Sequence, residues 1–382
     1  MRFVVWIAEA GMRFIYFFMK LRPVKDNIVM ISRQSDDVPL DFRLLCDALK
    51  IAAPEYKVEI LAKKLGSGLR GAVRYLPHML RQMSAIARAR VVVLDSYSIA
   101  VSLLKHRRGL RVIQIWHAIG LLKKAGYAAV GGEEGRDAGL ARLMRMHENY
   151  DYICASSDAC RLGIAEVFGY DEARVVVKVL PRADYLRDNR VRGEARARFA
   201  QAYPELAAGG RKKILYAPTH RRSANGELQR NLAQLADAFD FTKYDLIVSP
   251  HPLSEISLDR KGGWFPRGFS SLELAMCCDA VVIDYSSILF EVAILGVPLY
   301  FFTYDLDAYL ADPGFFIDFA GEVPGNKRVT AAEVVADIEA ETYDAGTMRA
   351  FLEKYVDIDD PHCAKTLAEF VAKAGAKAGS DA

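Results

Sequence analysis

The apolar positions of this chain fall into short continuous runs separated by longer segments with helical spacing. Asn27–Ser32, Lys57–Ala62, Arg90–Asp95, Arg111–Ile115, Tyr152–Ala155 and Arg174–Lys178 read as buried strands, with Phe42–Ala52 and Ala138–Asn149 as helices between them. The pattern pauses over the charged stretch Pro181–Arg211, which ends in Gly209-Gly210 and marks a domain boundary. It resumes with the strands Lys213–Ala217, Asp245–Ser249, Ala280–Asp284 and Pro298–Phe301, and residues 346–374 return to helical spacing. Strand–helix alternation in two blocks predicts two α/β units built on parallel sheets. No internal repeat and no low-complexity tract is apparent; Gly131-Gly132-Glu133-Glu134-Gly135 reads as a polar loop.

The first 22 residues have their own pattern. At about 100° per residue, Arg2, Glu9, Arg13 and Lys20 project to one side, and Phe3, Val4, Ile7, Phe14, Ile15, Phe17 and Phe18 occupy the other. Such a helix either lies in a membrane interface or docks its apolar face on the domain. A second basic face follows, with Arg70, Arg74, Arg81 and Arg88 spaced by 4, 7 and 7 and preceded by Lys63-Lys64. This face suits anionic headgroups, a lipid-linked diphosphate or plain solvent, and Pro77 is expected to start or kink a second helix.

Composition narrows the class. With 382 residues, 52% hydrophobic and 26% charged, the chain has the makings of two folded domains. A net charge of +3 from 51 basic and 48 acidic side chains is too mild for a nucleic-acid binder. Six cysteines without Cys-x-x-Cys spacing indicate free thiols in a reducing compartment. Glu9, Arg13 and Lys20 interrupt the apolar start, so neither a signal peptide nor a spanning helix is expected, and the protein is placed in the cytoplasm.

Candidate chemistry sits where strands end, which is where open α/β sheets bind ligands. The strand Arg111–Ile115 runs into Trp116-His117, followed by Lys123-Lys124, so His117 is a candidate general base or a satisfied structural histidine. Tyr216-Ala217-Pro218-Thr219-His220-Arg221-Arg222 brings a hydroxyl, an imidazole and guanidiniums together, and Pro250-His251-Pro252 locks a second histidine between prolines. Ala280–Asp284 leads through Tyr285 into Ser286-Ser287 and a helix carrying Glu291. A helix start with two hydroxyls is a ready diphosphate seat, or merely an N-cap. No dinucleotide or phosphate-loop glycine motif and no metal-ligand cluster is present.

In this order, Trp116-His117 with Lys123-Lys124, Leu180-Pro181-Arg182-Ala183-Asp184, Tyr216 to Arg221, His251-Pro252 and Asp284-Tyr285-Ser286-Ser287 resemble the CDP-glycerol glycerophosphotransferase family of wall teichoic acid synthesis. The stretches Phe301–Tyr309, Gly314–Asp318 and Pro324-Gly325 extend the resemblance over nearly the whole chain. It implies a GT-B-like α/β fold, with Rossmann-like domains over 1–185 and 186–350 facing a cleft, and helices over 351–382 returning to the first domain. It implies transfer of glycerol phosphate from CDP-glycerol to a lipid-linked acceptor, with release of CMP. No cofactor or tightly bound metal is implied, and the setting is the cytoplasmic face of the cell membrane, peripherally bound.

The chain has the size of one catalytic unit and reads Ala118 after Trp116-His117, as in primase-type members acting on ManNAc-GlcNAc-diphospho-undecaprenol. Leu180 and the stretch Ile119-Gly120-Leu121-Leu122 depart from the usual motif. By resemblance, His117 is the base on the acceptor side and His251 serves the donor phosphates, with the two roles exchangeable. Arg221, Ser286 and Ser287 hold the diphosphate near Thr219 and Pro252. Asp284 and Glu291 orient a histidine, contact glycerol or ribose, or are structural. Lys123 and Lys124 belong to the acceptor side, and Arg70, Arg74 and Arg81 to an anionic membrane surface. A CDP-ribitol enzyme, a polymerising enzyme of teichoic acid or capsule synthesis, a sugar-nucleotide GT-B enzyme and a non-catalytic scaffold are the alternatives. An oligomer is compatible with the sequence.

Overall fold

The computed structural model describes residues 2–380 except 67, 133–136, 220–224, 251–253, 255, 259–261 and 313. The chain divides into two compact units. The first holds Met1–Ala118, Ala125–Asp184 and Asp359–Ala382, and the second holds Ile119–Lys124 and Tyr185–Ile358. The expected break at 350 falls inside the helix Ala345–Tyr355, which stays whole in the second unit.

The first unit is a parallel sheet of β1 (Asn27–Ser32), β2 (Lys57–Ala62), β3 (Val91–Leu94), β4 (Arg111–Gln114), β5 (Tyr152–Ala155) and β6 (Val175–Val177). Its order is β2-β1-β3-β4-β5-β6. The apolar runs of β1 and β3 are buried throughout, as a sheet covered on both faces requires. The chain steps from β1 out to β2, then crosses back to β3. The order therefore reverses between β1 and β3, and open α/β sheets bind ligands beyond the strand ends at such a switch point.

The second unit repeats the principle with β7 (Lys212–Tyr216), β8 (Tyr244–Val248), β9 (Gly263–Trp264), β10 (Ala280–Ile283), β11 (Leu299–Phe302) and β12 (Lys327–Arg328). Its order, β9-β8-β7-β10-β11-β12, puts the reversal between β7 and β10. The edge strands β9 and β12 were not expected, because two residues carry no alternation. Arg328 instead fixes β12 by pairing with Asp337 at 2.7 Å.

Three other expectations change. The helix expected over 138–149 ends at Leu143. Beyond it Arg145, His147 and Asn149 take φ of 45°, 64° and 73°. Tertiary bonds override the helical spacing there: Tyr97 donates to Met144 O at 2.7 Å, Tyr170 to His147 O at 2.8 Å, and Asn149 to Val101 O at 2.9 Å. Gly68–Ile86 is a single helix that contains Pro77.

The N-terminal helix, Arg2–Met19, docks by the side opposite to the apolar face. Glu9 pairs with Arg13 and Arg145, Tyr16 is buried with its hydroxyl 2.9 Å from His106 Nδ1, and Lys20 donates to Lys105 O. Trp6, Phe14, Phe17 and Phe18 remain 63%, 67%, 58% and 53% exposed. The alternative in which the apolar face packs on the domain is thus overturned. Among the described residues no helix is long and apolar enough to cross a membrane.

Candidate functional site

At the switch point of the first unit, the exits of β1, β3 and β4 are laced together. Ser96 Oγ donates to the Asp95 carboxylate at 2.7 Å and accepts from Arg33 N at 3.1 Å. Ser32 Oγ accepts from Gln34 N at 3.1 Å, and its hydroxyl lies near enough to Asp95 to favour the ionised carboxylate. Gln114, the last residue of β4, accepts from Trp116 N at 2.9 Å. Trp116 then takes φ 63°, a conformation that a bulky side chain rarely adopts. This turn carries the chain from β4 directly to His117, with the Trp116 ring 4.0 Å away from the imidazole between centroids and braced by Phe168.

His117 Nδ1 lies 3.0 Å from the backbone carbonyl of Asp95, and the Gln34 amide reaches the same nitrogen at 3.2 Å. A carbonyl only accepts, so the shorter contact puts the proton on Nδ1 and leaves the lone pair of the neutral ring on Nε2; Gln34 Nε2, itself a donor, makes no hydrogen bond to the protonated nitrogen. Burial is the main cause that pushes His117 down to about 4, the Asp95 carbonyl opposes it, and the nearby Arg182 guanidinium adds to it. The ring is therefore neutral at physiological pH, the state a general base needs.

Below it, the buried Asp41 accepts from Arg182 N at 2.9 Å and Nε at 2.8 Å, and also from Nη2. Two residues on, Asp184 accepts from Cys363 N and Ala364 N at 3.0 and 2.8 Å, so it caps the helix Cys363–Ser380. The segment Pro181–Asp184 thus ties the surroundings of His117 to the last helix of the chain.

In the second unit, Asp284 follows β10 and is fully buried. Its carboxylate accepts from Thr219 N, Thr219 Oγ1 and Tyr285 N at 2.9, 2.6 and 2.6 Å. Asp284 therefore fastens the exit of β7 to the exit of β10 and does not present its carboxylate to solvent. Ser286 and Ser287 are half-buried at the start of the helix Ile288–Leu295, and Ser287 makes no side-chain cap bond to that helix. Ser287 thus stands at the N-cap position without capping the helix through its side chain, while Ser286 Oγ accepts from Ile288 N at 3.5 Å. Glu291 is buried one turn along.

Behind this seat Tyr285 stacks on Tyr309 at 4.1 Å and meets Phe315 and Phe319. Lys123, expected on the acceptor side of the first domain, belongs to the second unit and donates to the Tyr309 hydroxyl at 3.0 Å. Lys124 N bonds Gly314 O in the same unit. Arg70 and Arg74 are exposed on the helix Gly68–Ile86, whereas Arg81 is held by Glu59 at 3.0 Å. Arg221, His251 and Pro252 lie outside the described residues. Among the described residues no group of three potential ligands could hold a metal ion.

Sequence reasoning missed Ser32, Gln34, Asp41, Asp95 and Arg182 as parts of the histidine's seat. A signal for Asp95 existed: Val92-Val93-Leu94-Asp95 parallels Val281-Val282-Ile283-Asp284, so a short internal correspondence is present after all.

The family model described as CDP-Glycerol:Poly(glycerophosphate) glycerophosphotransferase matches residues 14–373. The teichoic acid ribitol-phosphate primase of Bacillus spizizenii is 31% identical over 92% of this chain and 92% of its own length. The teichoic acid glycerol-phosphate primase of Bacillus subtilis is 24% identical over 77% of this chain and 76% of its own. The two-unit α/β fold is shared with the wall teichoic acid polymerase TagF, solved as a histidine-to-asparagine variant soaked with CDPG. There the TM-score is 0.74 at 20% identity, covering 98% of each chain.

Proposed function

This chain belongs to the CDP-glycerol:poly(glycerophosphate) glycerophosphotransferase family, and from that premise we propose that it transfers glycerol phosphate from CDP-glycerol to a hydroxyl of a membrane lipid-linked saccharide. The observation that carries the reading is His117: neutral, with its proton held on Nδ1 and its lone pair on Nε2. The acceptor oxygen attacks the β-phosphorus, its proton goes to Nε2, and the bond to the leaving phosphate of CMP breaks. In this reading Ser286, Ser287 and the helix start behind them take the donor diphosphate, helped by Arg221 and His251. Thr219 and Asp284 hold that seat in shape. Lys123 and Lys124, being in the second unit, fit donor-side neutralisation better than acceptor binding.

The acceptor follows the primase reading: a ManNAc-GlcNAc-diphospho-undecaprenol head at the cytoplasmic face, reached by a peripherally bound enzyme. The near-full coverage of a primase supports it. A second reading, CDP-ribitol as donor, is favoured by the 31% identity over 92% of a ribitol-phosphate primase. Incubating the chain with lipid-linked acceptor and CDP-glycerol, CDP-ribitol or UDP-sugars, then weighing the product, decides among them. CMP release with one added glycerol phosphate supports the first reading. CMP release with ribitol alone selects the second, and turnover of a UDP-sugar instead would sink both.

A further inference from the structure

Two segments of the chain share one local plan. Val91 to Ile99 and Ala280 to Ile288 each run from a buried strand to a carboxylate, Asp95 or Asp284, and then to a serine just before a helix. Each of these strands lies beside the first strand of its sheet, across the switch point. Each carboxylate has a hydroxyl from that first strand's exit beside it, Ser32 near Asp95 and Thr219 bonded to Asp284.

The copies diverge in what they hold. Ser98 caps its own five-residue helix, accepting from Val101 N, and Ser96 and Ser98 are both buried. The turn in the first unit is therefore closed as a ligand seat. What it presents instead is the Asp95 carbonyl, pointed at His117 Nδ1.

We propose that Asp95 is a positioning residue: its carboxylate, bonded by Ser96 and lying beside the Ser32 hydroxyl, fixes the carbonyl that keeps the His117 proton on Nδ1 and the lone pair on Nε2. Packing alone does not account for this carboxylate. Burial raises Asp95 to about 6, and the neighbouring Asp41 adds to the rise, so the fold keeps an ionised group where a neutral one would be easier to bury. The charged groups facing the imidazole are Arg182 and Asp41, which are paired with each other.

The inference rests on the reading of His117 as the base. Its test combines two-bond proton–nitrogen correlations of the histidine-labelled full chain at pH 7 with steady-state kinetics and a pH–rate profile. The unaltered chain is expected to show His117 as the Nδ1–H tautomer. Ser32→Ala and Asp95→Asn are expected to mix the tautomers and lower kcat roughly 10- to 100-fold, part of what a general base contributes. The donor KM stays within about 3-fold and the acidic limb of the profile moves. An Nε2–H tautomer in the unaltered chain overturns the proposal, as do variants that keep both tautomer and kcat. If the unaltered chain turns over no CDP-alditol, the function falls, while the tautomer, which needs no substrate, still decides the positioning claim.

Discussion

Thr219 gives both its hydroxyl proton and its backbone N–H to the carboxylate of Asp284, at 2.6 and 2.9 Å. The two residues sit at the exits of β7 and β10, so this pair closes the switch point of the second unit. Thr219→Val removes one charge-assisted bond and should cost roughly 1.5–3 kcal/mol. Asp284→Ala strands two backbone donors and the hydroxyl in a buried site and should cost more, roughly 3–5 kcal/mol. Urea unfolding measures both. Wild-type stability in Asp284→Ala would show that the carboxylate is not what fastens the two strand exits.

Asp184 makes a different kind of closure, because its carboxylate caps a helix that lies 179 residues further along the chain. An N-cap lost to alanine costs roughly 0.5–2 kcal/mol. Asp184→Ala should therefore loosen the terminal helix first. Amide exchange over Cys363–Ser380 is expected to accelerate while β1 and β3 keep their protection. Uniform acceleration across the first unit would mean that Asp184 supports the whole unit and not its last helix.

How far the sequence foretold this architecture depends on the length of each signal. The long strands were legible because both faces of each sheet are covered, which leaves continuous apolar runs such as Val91–Leu94. Gly263–Trp264 and Lys327–Arg328 were not, since a two-residue strand exists only through its neighbour. His117, Ser286 and Ser287 were visible as polar residues directly after strands. Their supports were not: Asp41 meets Arg182 from 141 residues away, and Asp95 acts through its carbonyl, which no side-chain pattern encodes. Lys123 falls in the second unit because six residues, Ile119–Lys124, leave the first unit and return, with no composition change to mark it.

The largest shifts that couple stability to mildly acidic pH belong to two histidines and one aspartate. His106 and His117 are each pushed from 6.5 to about 4, chiefly by burial. Between those values the unfolded chain binds their protons and the folded chain does not, so stability rises with pH across that window. Asp95, raised from 3.8 to about 6, works in the opposite sense between its own two values. Two groups outweigh one, and acid should weaken the fold between pH 6.5 and 4. His106→Gln should flatten the slope near pH 5.5 by up to about 1.4 kcal/mol per pH unit. An unchanged slope in urea titrations at pH 5, 5.5 and 6 would mean that His106 is already protonated in the folded chain.

The exposed face of the N-terminal helix sets the sharpest expectation about location. Its polar side is committed to the first unit through Glu9, Tyr16 and Lys20, so docking leaves Phe14, Phe17 and Phe18 outward. Fully burying one phenylalanine is worth roughly 1.5–3 kcal/mol, and partial immersion of three still exceeds the roughly 2.7 kcal/mol that a 100-fold change in partition requires. Phe14→Ser, Phe17→Ser and Phe18→Ser together should therefore cut binding to anionic vesicles at least about 100-fold. Unfolding free energy should stay within about 0.5 kcal/mol, because these side chains contribute little to the folded core. The arginines should separate by their partners. Arg70 and Arg74 are exposed, and reversing either should weaken binding by about 1 kcal/mol or more at low salt and less at high salt. Arg81 is held by Glu59, so neutralising it should matter less than neutralising either of the other two. Vesicle co-sedimentation of the full chain at two salt concentrations reads all of these. Binding that survives the triple serine substitution would mean that the outward aromatic face is not what meets the bilayer.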